Sequence, residues 1–253
     1  MFQRKRRARP VKCINEYILK IRTVKSRAEI EVMRKAFQIA DKALTIVLNE
    51  FKVGLTEKEV ANRIEYEMRH LGAQRPSFPS IVASGKNGFN AHHIPSEKKI
   101  ASGEFLTIDL GSKFMNYCSD MTRTYFVGKP SEKQRHVYES VLESQVKAIE
   151  AVSVGEKLSE ISLIARRRLK EKGFLRDFVH GLGHGVGIDI HEEPRVTIYS
   201  KESVRNGHVF TVEPGVYIKG WGGVRIEDTV AVFDNKVDTL SSAPKSVDEV
   251  IIS

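Results

Sequence analysis

Phe105-Leu106-Thr107-Ile108-Asp109-Leu110-Gly111-Ser112 is an apolar stretch with one acid inside it and a Gly-Ser pair at its end. It reads as a buried strand over 105–110, leaving through a Gly111-Ser112 turn into a second strand at 113–118, with a third at 122–127. Upstream the period changes. Ser26-Arg27-Ala28-Glu29 has the form of a capping box, and Ile30, Met33, Phe37, Ala40, Leu44 and Val47 follow at helical spacing to about Glu50. Thr56-Glu57-Lys58-Glu59 repeats the cap signature ahead of Val60, Ile64 and Met68, and Gly72 stops that helix. Downstream the pattern predicts helices from Ser131 to about Val152 and from Leu158 to Lys172, then strands at 209–213, 216–218 and 224–232. Helices, strands, helices, strands: the order predicts an α+β domain with two similar halves.

Composition narrows the function classes. A chain of 253 residues buries roughly 70–75% of its unfolded surface, enough for one large core without staples. With 41% hydrophobic and 29% charged residues it is neither collagenous, disordered nor a coiled-coil rod. The longest apolar runs, such as 43–48, are too short to span a membrane. Two cysteines, Cys13 and Cys118, exclude a disulfide scaffold or a Cys-rich zinc module. No apolar signal core opens the chain, so a cytoplasmic location is expected. The net charge of +9 is concentrated: Arg4, Lys5, Arg6, Arg7, Arg9 and Lys12 supply six positive charges at the start. Residues 1–22 read as a basic arm whose default state is a solvated terminus. It is also the one segment suited to nucleic acid.

Asp109 is followed eleven residues later by Asp120, within Ser119-Asp120-Met121-Thr122-Arg123-Thr124. A carboxylate among apolar strand neighbours needs a partner or a cation, because an isolated buried charge costs several kcal/mol. Alone, the pair could equally serve turns or caps. His184 sits in His180-Gly181-Leu182-Gly183-His184-Gly185-Val186-Gly187, where glycines allow close backbone approach without giving a dinucleotide-loop spacing. Glu213 ends the run Phe210-Thr211-Val212, and Glu227 lies in Gly223-Val224-Arg225-Ile226-Glu227-Asp228. Four carboxylates in strand contexts with one imidazole suit a pair of hard or borderline divalent ions.

Taken together, TIDLG, SDMTRT, GLGHGVG, TVEPGVY and GGVRIED resemble the M24-type, "pita-bread" metallopeptidase family. That family includes methionine aminopeptidase, aminopeptidase P and Xaa-Pro dipeptidase (prolidase). The resemblance implies the pita-bread fold, with pseudo-symmetric halves each of helices plus an antiparallel sheet, over a single catalytic domain at 23–253. It implies two divalent metal ions (Mn, Co, Zn or Fe), with Asp109 on one, His184 and Glu213 on the other, and Asp120 and Glu227 bridging. Glu213 would also shuttle the proton of the attacking water. His92, in Asn90-Ala91-His92-His93-Ile94-Pro95, matches the substrate-side histidine, with His93 as the fallback. His191 matches the histidine that meets the scissile carbonyl, whereas His180 fits a packing role.

GVRIED and His191-Glu192-Glu193-Pro194-Arg195 are more similar to prolidase and aminopeptidase P than to methionine aminopeptidase. Arg195 matches an arginine that would grip a dipeptide's free carboxylate, where a bidentate fork is favoured. Arg225 would line the substrate site or hold an acid in place. The implied activity is hydrolysis of the N-terminal peptide bond of Xaa-Pro dipeptides or peptides, and the implied assembly a homodimer. The separate N-terminal domain usual in prolidases is not expected here. Two alternatives stand: a methionine aminopeptidase-like enzyme, and a non-enzymatic peptide- or nucleoprotein-binding module. The intact ligand set disfavours the second, since four buried carboxylates are costly without cations.

Overall fold

Three of the four expected helices begin at reciprocal capping boxes. Ser26, Thr56 and Ser131 accept from the backbone N–H three residues on, while Glu29, Glu59 and Gln134 accept from the cap's own N–H. The computed structural model describes residues 15–253. Its first half holds α1 (Asn15–Thr23), α2 (Arg27–Asn49) and α3 (Glu57–His70). The strands β1 (Arg75–Pro76), β2 (Ile81–Ser84), β3 (Phe105–Leu110), β4 (Ser112–Phe114), β5 (Tyr117–Cys118) and β6 (Met121–Val127) follow. The second half opens with α4 (Glu132–Glu150) and α5 (Leu158–Glu171). Then come β7 (Gly183–Gly185), β8 (Glu192–Val196), β9 (Val209–Val212), β10 (Gly215–Ile218), β11 (Gly222–Arg225), β12 (Asp228–Phe233), β13 (Lys236–Thr239) and β14 (Ile251–Ile252).

Each half is thus a pair of long helices leading into an antiparallel sheet. The first sheet runs β14-β6-β3-β2, with only the short β14 parallel to its neighbour; the second runs β13-β12-β9-β7-β8. Apolar faces of the helices and sheets share one core, in which Leu44, Ile64, Ile108, Phe126, Val141, Ile161, Phe210 and Val230 are sealed from solvent. The two sheets are tied where the backbone N–H of Glu227 donates to the carbonyl of Thr122 at 3.1 Å. No helix among the described residues is long and apolar enough to cross a membrane.

Several expectations need correction. The span 113–118 is not one strand following a Gly111-Ser112 turn. It folds back on itself at Met115-Asn116, both at positive φ, to make the β4–β5 hairpin, which pairs with β1 in a separate small sheet. Two successive left-handed residues form the tight turn that matches strand twist. Nor is 224–232 one strand. The chain changes partner at Ile226-Glu227: β11 pairs with β10 and β12 with β9. The uninterrupted apolar pattern hides that switch because both segments are buried. Of the expected 1–22 arm, only the last residues are among those described. Residues from Asn15 are helical in α1, and the six charges at positions 4–12 lie outside the described residues.

Candidate metal centre

Burial on both faces of β3 places Asp109 in the floor of a cavity of about 550 Å³, which all five expected ligands line. His184 is in β7, a short strand rather than a glycine loop; Asp120 immediately precedes β6, and Glu213 immediately follows β9. Glu227 stands at the crossover between β11 and β12. Strand ends and crossovers let side chains from both sheets aim at one point. Atoms of Asp120, His184 and Glu227 lie mutually within 4.8 Å, and His184 Nε2 is 3.5 Å from both Asp120 Oδ2 and Glu213 Oε1. His184 Nδ1 meets the Gly185 carbonyl at 3.0 Å, which leaves Nε2 for the cavity.

The charge balance is what a cation would correct. Burial raises the Asp109 carboxyl against the opposing Arg225, and raises Asp120 and Glu227 well above the usual range with help from neighbouring acids. Glu213 is pushed up to about 7 by burial, while burial lowers His184 to about 4 and so favours the neutral imidazole. Asp109 Oδ1 is a buried acceptor with no hydrogen-bond donor among the described residues. Mixed carboxylate and imidazole donors around an orphan oxygen fit divalent ions of the Mn, Co, Zn and Fe type.

Sequence reading allowed for Arg225 holding an acid in place but not for its actual partners, and it missed the threonines that support this set. Arg225 donates from Nη2 to Asp109 Oδ2 at 2.7 Å, from Nη1 to Tyr217 Oη at 2.8 Å, and from Nε to Thr122 Oγ1 at 3.0 Å. Its fork is therefore engaged by the protein, so it positions Asp109. Thr122 Oγ1 donates to Glu227 Oε2 at 2.7 Å, and Thr211 Oγ1 donates to Glu213 Oε1 at 3.0 Å. Each threonine is two residues from an acid of the set, on the same face by strand period, and that spacing was the available signal. His180 is hydrogen-bonded at Nε2 to Tyr217 Oη at 3.0 Å and at Nδ1 to the Gly181 carbonyl at 2.7 Å.

The two adjacent histidines both line the cavity but differ in their contacts. His93 Nε2 meets Glu57 at 2.8 Å, whereas His92 is exposed at the cavity wall. Glu57 is fully buried and accepts from Ser84 N, Ser84 Oγ and Ser96 Oγ at 2.7–2.8 Å. Although burial opposes ionisation, these donors hold its carboxyl down at about 2. Glu57 thereby pins both ends of the loop that carries His92. His191 also lines the cavity, edge-on to His184 with ring centroids 4.3 Å apart. Arg195 lines the mouth. Its backbone N–H donates to Glu193 at 2.9 Å, and its guanidinium has no partner among the described residues. Phe78, Pro79, Ile81, Ile94 and Ile190 complete an apolar wall.

Residues 31–234 match metallopeptidase family M24. The chain belongs to that family. Among curated M24-type relatives it is 43% identical over 246 residues to the Xaa-Pro dipeptidase of Pyrococcus furiosus, covering 97% of this chain and 71% of the relative. The prolidase structure from the same organism superimposes with a TM-score of 0.90 at 45% identity, covering 92% of this chain and 69% of that one. The X-Pro aminopeptidase structure from Thermotoga maritima gives a TM-score of 0.90 at 35% identity, over 94% and 67% of the two chains. These likenesses bear out the pita-bread fold of this M24 chain.

Proposed function

We propose that this protein is a dinuclear-metal exopeptidase that hydrolyses the N-terminal peptide bond of Xaa-Pro dipeptides. The observation that carries this reading is the convergence of four carboxylates, three buried and Glu213 half-buried, with His184 in one cavity that also has an apolar wall. The Xaa-Pro dipeptidase among the relatives supports the substrate class. Asp109, Asp120, His184, Glu213 and Glu227 would hold two divalent ions, which would supply the Lewis acidity that makes water nucleophilic at neutral pH.

The remaining work falls to the chain's own side chains. Glu213 takes a proton on its carboxylate and gives it back. His191 donates a hydrogen bond to the scissile carbonyl and to the oxyanion it becomes. His92, on the loop pinned by Glu57, stands at the leaving nitrogen. Arg225 fixes the carboxylate plane of Asp109. The wall of Phe78, Pro79, Ile81 and Ile190 takes the side chain and prolyl ring and keeps bulk water out.

Arg195 is the proposed clamp for the dipeptide's carboxylate, because its guanidinium is free and at the mouth. Arg195→Ala is expected to raise KM for Ala-Pro by roughly tenfold or more, the loss of a charge-assisted pair. KM for Ala-Pro-Ala, whose carboxylate lies one residue further out, should change little. Equal effects on both peptides would remove Arg195 as the clamp. Preference for Ala-Pro-Ala over Ala-Pro would move the enzyme to aminopeptidase chemistry, and cleavage of Met-Ala-Ser to methionine aminopeptidase.

A further inference from the structure

Glu192 follows His191 directly, yet its side chain is 4% exposed and points the other way along the strand, away from the cavity mouth. It meets three groups. Lys25 Nζ donates to its Oε2 at 3.0 Å, Arg22 Nη2 donates to its Oε1, and the backbone N–H of Asp189 donates to Oε1 at 3.0 Å. Arg22 Nη2 also donates to Asp189 Oδ2 at 2.7 Å. Lys25 is itself only 2% exposed at its side chain and is fixed by its backbone N–H, which donates to the Gly207 carbonyl at 2.7 Å.

These contacts span the loop at 186–191 between β7 and β8. A Cβ at Gly187 would lie 2.5 Å from Glu192 Oε2, so a larger residue there would have to displace that carboxylate. The loop carries Ile190 and His191 into the cavity wall, and His191 has no hydrogen-bond partner of its own among the described residues. An imidazole without a partner takes its orientation from its backbone and from the edge-on contact with His184. Whatever holds the loop therefore holds the ring. Both cations come from the stretch ahead of residue 31, where the family match begins.

We infer that Lys25 and Arg22 are positioning residues: they clasp Glu192, and through it the 186–191 loop, so that His191 faces the substrate carbonyl. This rests on the reading of His191 given above. The Lys25–Glu192 pair is nearly dry, so removing Lys25 leaves Glu192 with only the partly exposed Arg22 and one backbone N–H, and the loop must open to hydrate the carboxylate. A displacement of about 1 Å at a catalytic group is enough to cost up to a hundredfold in rate.

The test uses the full chain loaded with manganese, comparing wild type with Lys25→Met, Lys25→Arg and Arg22→Gln. In Lys25→Met, amide hydrogen exchange across 186–191 should quicken by roughly tenfold or more while β3 and β6 stay protected. Its kcat on Ala-Pro should fall by about fivefold or more with KM nearly unchanged, and Lys25→Arg should restore both readouts. In a His191→Ala background the same substitution should change kcat by less than about twofold, since the cycle isolates what passes through His191. Arg22 is 26% exposed at its side chain, so Arg22→Gln gives the same direction in a protein that folds if Lys25→Met does not. Unchanged loop exchange overturns the clasp, and equal kcat losses with and without His191 overturn its action through that ring. Full turnover in His191→Ala alone would instead strike the reading of His191, with the exchange arm still deciding the clasp.

Discussion

Glu213→Gln is expected to lower turnover of Ala-Pro by about 10³-fold while the protein keeps its fold, the range lost when a general base is removed. Glutamine is nearly isosteric, and its carbonyl can still accept from Thr211 Oγ1, which reaches the present carboxylate at 3.0 Å. The backbone N–H of residue 213 goes on donating to the Leu182 carbonyl at 2.8 Å. What disappears is the carboxylate that takes and returns the proton. The check is kcat at matched ion content, with circular dichroism to confirm the fold. Turnover within tenfold of wild type would exclude Glu213 as the base.

Removing the ions should make stability depend on pH in an unusual direction. A carboxyl whose folded-state pKa is raised binds its proton where the unfolded chain has already lost it. Its favourable contribution is present below the ordinary carboxylate range and is lost as pH rises through the folded value. Glu213 passes that point at about 7, and Asp120 and Glu227 are raised well above their usual values by burial and by neighbouring acids. Glu213 is therefore most of the way through its loss by pH 7, and the further fall in Tm expected for the stripped protein between pH 7 and 8.5 rests on Asp120 and Glu227. That window lies above the titration of His180 and His184, which burial lowers to about 4 and which would push the other way in acid. With ions restored the fall should largely vanish, because the charges they neutralise no longer repel. A stripped protein whose Tm holds or rises over this window would mean that the four acids do not share one buried site.

The ligands were legible because the chemistry leaves so few alternatives. An acid in a buried, largely apolar strand, as at Asp109, must meet a cation or a donor, and four such acids with one imidazole made a pattern that no single one carried. Their supports were harder to read. Thr122 and Thr211 look like ordinary strand residues, and Glu57 looks like any first-turn acid on a helix, although it is buried and anchors the His92 loop. Arg225 was readable as a cation near Glu227, but its actual partner, Asp109, is 116 residues away and only the fold brings them together.

The fold showed the same division. Helices with capping boxes came out within a residue or two, since their signals are local. The switch between β11 and β12 did not, because hydrophobicity continues unbroken across a change of strand partner. The same is true of β1, β5 and β14, two-residue strands whose pairing depends on distant segments. α1 is held by Arg22 to Asp189 and Glu192, contacts that span 167 and 170 positions.

The most direct measurement titrates the stripped, folded chain with manganese, counting bound ions against the initial rate of Ala-Pro hydrolysis. The expected result is two ions per chain, no hydrolysis in excess chelator, and a rate that appears with ion loading. Hydrolysis that persists in chelator would contradict the account. So would a chain that binds both ions yet leaves Ala-Pro, Met-Pro, Ala-Pro-Ala and Met-Ala-Ser intact, which would make the cavity a binding site without peptidase activity.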